Sequence, residues 1–104
     1  MAVTSKSLAR TAAATTNTTL YTAPTTTTTV VVTNVAVTNT TTAAVTFTIN
    51  LDDVALQSGS ALAANSTAYF DVKQVLNAAS PAKTIKGSAS TTAVNFHISG
   101  VEIA

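Results

Sequence analysis

Ala44-Val45-Thr46-Phe47-Thr48-Ile49-Asn50-Leu51 runs directly into Asp52-Asp53. Val45, Phe47, Ile49 and Leu51 alternate with Thr46, Thr48 and Asn50. Successive side chains of a strand point to opposite faces, so this is a half-buried strand with an apolar inner face and a neutral polar outer face. The two aspartates then read as a hairpin turn into Val54-Ala55-Leu56. Adjacent carboxylates also suggest calcium, but calcium takes six to eight oxygen ligands and no other acidic residue lies nearby.

The same grammar extends in both directions. Upstream, Thr28 to Asn39 is the strongest strand signal of the first half, with Val35 and Val37 on one face and Asn34, Ala36 and Thr38 on the other. The Thr25–Thr29 run leads straight into Val30-Val31-Val32 and is read with it as one strand. β-Branched residues are stiff at χ1 and suit a pleated surface. Thr18 to Thr22 is a short strand stopped by Pro24, which has no N–H to give a ladder. Asn39 to Thr42 reads as a turn, because these side chains bond readily to nearby backbone.

Downstream, Gln57-Ser58-Gly59-Ser60 reads as a loop, Asn65-Ser66 as a turn and Thr67 to Val72 as a strand. Val72, Val75 and Leu76 have helical spacing, which predicts one short turn over 72–78 before Pro81. Lys83 to Ser88 and Ala93 to Ala104 complete the set. Gly100 is expected to mark a bulge that shifts the phase before Val101 and Ile103. Seven or eight short strands with regular turns predict an all-β antiparallel sandwich, immunoglobulin-like or jelly-roll. Residues 1–17 show neither period and are expected to form an extended arm, with the sandwich over 18–104.

Composition limits the chemistry. One domain of 104 residues buries roughly 60–70% of its extended surface. Five basic and four acidic residues leave a net charge of +1, and none of them falls between Thr11 and Leu51. That balance gives no general grip on nucleic acid or on anionic lipid. No apolar window reaches the ~18 residues of a membrane helix. The first residues carry no apolar core of a secretory signal, and the retained Met1 suggests an unprocessed product. Cysteine is absent, and the three glycines form no phosphate-cradling loop, so no cofactor is expected. His97 is the lone histidine and reads as a surface or interface imidazole. Asp71 and Lys73 read as a local charge pair, and Lys73, Lys83 and Lys86 as a solvated rim.

What remains is surface. Soluble domains carry about a quarter of their residues as charges. This chain instead has 23 threonines, enough to clothe the outer face of a sheet. Such rows are neutral and rich in hydrogen-bonding groups, and they suit docking where charge would carry a desolvation penalty. A part held among neighbours is therefore expected. The contact residues expected are Lys6, Leu8 and Arg10 on the arm, Thr46 and Thr48 on the central strand, and His97 on the last strand. A sugar-binding reading would need an exposed aromatic platform, which only Tyr21 and Tyr69 could supply.

Several of these segments resemble small structural proteins of tailed bacteriophages. Thr19-Leu20-Tyr21-Thr22-Ala23-Pro24 looks like their "LYT-x-P" segment. Val35-Ala36-Val37-Thr38-Asn39-Thr40 resembles the following "V-x-V-x-N-T" strand, and Ala43 to Ile49 the next one. Ile85-Lys86-Gly87 and Val101-Glu102-Ile103 are similar in style. The resemblance covers residues 18–104 and carries fold motifs only, with no catalytic or binding residue. It implies a non-enzymatic virion protein, foremost a capsid decoration (cement) protein, or else a neck, tail, baseplate or fibre part. The implied partners are the major capsid protein or other virion proteins and further copies of the chain in a symmetric homo-oligomer. A carbohydrate-binding adhesin is the more distant alternative.

Overall fold

A computed structural model describes residues 2–104. Its eight strands are β1 (Val3–Ala12), β2 (Thr18–Thr22), β3 (Thr29–Asn39), β4 (Val45–Leu51), β5 (Val54–Leu62), β6 (Thr67–Leu76), β7 (Thr84–Ala89) and β8 (Val94–Ile103). The chain is one long hairpin ribbon, in which β1 pairs with β8, β2 with β7, β3 with β6 and β4 with β5, all antiparallel. The apex of the ribbon is the Asp52–Asp53 turn at mid-chain. Both aspartates have positive φ, 53° and 61°, which Asp tolerates better than most residues and which matches the twist of a tight hairpin.

Rolling the ribbon makes two four-stranded sheets, because β8 also pairs with β3, and β7 with β4. Sheet I has the order β1-β8-β3-β6, and sheet II the order β2-β7-β4-β5. This is the jelly-roll form of the β-sandwich, so of the two expected topologies the immunoglobulin-like one is discarded. The core between the sheets rests on Phe47, Phe96, Ile49, Ile85, Ile98 and a set of valines, all essentially inaccessible. Val45, Phe47 and Ile49 are buried as their alternation predicts.

Five local expectations fail. Of the Thr25–Thr29 run only Thr29 joins β3; the residues before it bend, with Thr27 at φ 62°. Residues 3–12 are not a free arm: they form edge strand β1, paired to β8 from Val3↔Ile103 to Ala12↔Asn95. (Met1 lies outside the described residues.) The segment from Val72 is no helical turn but the second half of β6, since pairing with Val30–Val32 outweighs a spacing too short to nucleate a helix. Gln57 to Ser60 is not a loop. It belongs to β5, whose ladder to β4 is irregular there around Gly59 at φ 55°. Finally, β8 does not change phase at Gly100. Val94, Phe96, Ile98 and Gly100 are all buried, so Val101 and Ile103 lie on the outer face and Glu102 on the inner one.

The phase shift falls on the partner strands instead. Leu8 of β1 is the extra residue opposite β8, and Leu20 of β2 is the extra residue opposite β7. Each leucine sits over a glycine. A Cβ at Gly100 would lie 2.7 Å from Leu8 Cδ1 and 2.5 Å from the Val31 carbonyl oxygen. One at Gly87 would lie 3.0 Å from Leu20 Cδ1. Gly100 is required for close approach rather than for a bulge of its own. All four edge pairings carry such an irregularity, which bends an edge away from ladder formation with another chain.

Candidate interaction surface

The six residues expected at an interface occupy four different environments. Arg10 and His97 are cross-strand neighbours on the outer face of sheet I. Thr46 and Thr48 share the outer face of sheet II, where the Thr48 hydroxyl accepts the Gly59 N–H at 3.0 Å. Leu8 is 7% exposed and belongs to the core of its own chain, so it cannot serve as a contact residue. Lys6 lies opposite Gly100 and turns inward to Glu102.

That inward turn builds a polar tie at one end of the sandwich. The Tyr21 hydroxyl, on β2 of sheet II, donates to Glu102 Oε2 on β8 of sheet I at 2.6 Å. Lys6 Nζ donates to the same oxygen at 3.2 Å. The Tyr21 hydrogen bond, helped by the Lys6 ammonium, holds the Glu102 carboxyl below the usual carboxylate range. Burial and the adjacent carboxylate push the Tyr21 phenol well above its ordinary value. The opposite end is tied by Asn39, 1% exposed. Its amide nitrogen donates to the carbonyls of Ala43 at 2.8 Å and Ala63 at 3.0 Å. Its oxygen accepts from the backbone N–H and hydroxyl of Thr41.

Two of the three lysines expected to be a solvated rim are engaged at the ribbon apex: Lys83 pairs with Asp52 at 2.8 Å and Lys86 with Asp53 at 3.2 Å. Asp71 takes the Asn34 amide at 3.3 Å rather than Lys73. Among the described residues no enclosed pocket forms, and no three His, Asp or Glu side chains gather as metal ligands would.

The outer faces of the two sheets differ. Sheet II presents Thr46, Thr48 and Asn50 from β4 beside Thr84, Lys86 and Ser88 from β7. On sheet I, Val31 stands directly across from both Val101 and Val75, and Val3 stands across from Ile103. Of the four large hydrophobic side chains most exposed among the described residues, three lie on this face: Val3 at 67%, Tyr69 at 73% and Val75 at 52%. Sequence reading missed this patch, because Val31, Val75 and Val101 are far apart in the chain and only the ladder aligns them. Contiguous exposed apolar groups mark an interaction surface more reliably than scattered ones.

No known protein family, no curated protein and no solved structure shows significant similarity to this chain.

Proposed function

We propose that this protein is a non-enzymatic structural component of a tailed-bacteriophage virion, working as a capsid decoration (cement) protein. Its partners are the major capsid protein or other virion proteins, together with further copies of itself. The observation that carries this reading is the sparsely charged exterior, with an aliphatic row on sheet I and a threonine face on sheet II. Many weak neutral contacts, repeated over a shell, add up to firm attachment. The jelly-roll is at home in viral coats, although it also hosts lectins, so fold alone does not decide. The phage setting comes from the resemblance over residues 18–104.

Since residues 3–12 are part of the sandwich, attachment falls to the outer faces and not to an arm. The same surfaces would serve a neck, tail or baseplate part. The adhesin reading loses its two-tyrosine platform, because Tyr21 points inward to Glu102 while Tyr69 stands on the outer face of sheet I. Quantitative mass spectrometry of purified particles tests the proposal. Copies on the order of hundreds per particle support a shell position on repeated symmetry axes, and a few dozen move the protein to the tail machinery. Absence from particles overturns the proposal. Binding to particles should also change little with salt, since few charges are available to screen.

A further inference from the structure

We propose that the outer face of sheet I is a homodimer interface, in which a second copy is related by a two-fold axis lying in the interface parallel to the strands. This names the self-partner of the surface described above, but it does not depend on the virion setting.

The register of sheet I sets the rows across the face. One row is Ser5, Val101, Val31 and Val75, with Val3 and Ile103 beside it. A second is Ser7, Ser99, Asn34 and Asp71, and a third is Arg10, His97, Ala36 and Tyr69. An isologous contact must place this surface on itself. Two in-plane axes do so. An axis across the strands reverses the order of the rows and sets the aliphatic end against the Asn95, Thr38 and Thr67 end. An axis parallel to the strands keeps each row level and exchanges left for right. Valines then meet valines. The edge strand β1 faces the partner's β6, because these are the two outer strands of the sheet.

The charges agree with the second choice. Arg10 on one edge comes over Tyr69 on the other edge of the second copy, where a guanidinium and an aromatic face attract. Asp71 is the next outward residue along β6, about 7 Å away along the strand and within an arginine's reach. Lys73 meets the hydroxyls of Ser5 and Ser7, while Lys6 between them turns to the inner side and pairs with Glu102. Face-to-face sheets pack about 10 Å apart with strands within about 30° of one another, which this axis permits. Four strands of about ten residues present roughly 600 Å² in projection. That approaches the ~800 Å² per partner of a standard interface.

The test is sedimentation equilibrium of the full chain from micromolar to near-millimolar concentration. A reversible dimer is expected. Val75→Lys, at an exposed site, should weaken it at least about tenfold. Arg10→Asp and Asp71→Arg should each weaken it several-fold, and the double charge reversal should restore it to within about threefold of the parent. Circular dichroism melts verify folding of each variant, and the exchanged charge pair keeps the test decisive if Val75→Lys unfolds. A monomer throughout, or a dimer indifferent to all of these changes, overturns the proposal. Particle composition reads the virion proposal separately, so either can fail alone.

Discussion

The sandwich is tied across its two sheets at both ends, and the two ties are chemically unlike. At one end Asn39 binds the β3–β4 turn to the β5–β6 connection with neutral hydrogen bonds. At the other end Glu102 gathers Tyr21 from the opposite sheet and Lys6 from its own. Both side chains occupy inward positions where apolar residues would otherwise meet. An amide satisfies its partners at any ordinary pH, whereas a carboxylate does so fully only when ionised. One end of the molecule should therefore be indifferent to pH and the other sensitive to it.

Gly100, two residues before Glu102, offers the largest disturbance. Gly100→Ala puts a Cβ 2.5 Å from a backbone oxygen, so the strand itself must shift. A loss of about 3 kcal/mol or more is expected in urea unfolding. Gly87→Ala, whose tightest neighbour is the movable end of Leu20 at 3.0 Å, should cost nearer 1–2 kcal/mol. Equal losses would show that β1 yields as readily as β2.

Asn39→Ala should remove about 2–3 kcal/mol, because buried carbonyls and the Thr41 N–H lose their partner. The same melts should show no change in pH dependence. Tyr21→Phe should remove about 1.5–2 kcal/mol at neutral pH, as expected for a hydrogen bond to a charged acceptor.

The pH profile sharpens the contrast further. Glu102 has a depressed folded value, so its stabilisation is present above the ordinary carboxylate range. It is lost as pH falls from about 4.5 through the folded value. The Tyr21 phenol is raised, so its stabilisation holds below about pH 10 and is lost above it, as the unfolded chain ionises first. In Glu102→Gln the acid slope of melting temperature against pH should vanish and the alkaline slope should only shrink, because burial still raises the Tyr21 phenol; Asn39→Ala should keep both slopes. The reverse pattern would assign the wrong end. Smallest of all, Lys6→Met should cost under about 1 kcal/mol, since that ion pair is half open to solvent.

How much of this could be read beforehand depended on range. β4 and the Asp52–Asp53 turn were legible, because alternation and turn chemistry act over two to eight residues. The Asn39 turn was legible locally, but its hold on Leu62 and Ala63 was not. β1 escaped notice because only Leu8 and Ala9 of its ten residues are buried, leaving no period to see. Of the six expected contact residues, Arg10 and His97 proved adjacent on one outer face, whereas Leu8 proved to be core.

By itself the amino-acid order determined an all-β chain of short antiparallel strands with a tight turn at Asp52–Asp53, and a sparsely charged exterior. Those properties follow from residue type and spacing along a few neighbouring positions. Tertiary structure alone decided that the ribbon rolls into a jelly-roll, that Leu8 and Leu20 settle over Gly100 and Gly87, and that three distant valines form one row. Each of these joins residues many positions apart, where the balance of packing and close approach governs and local pattern carries no information.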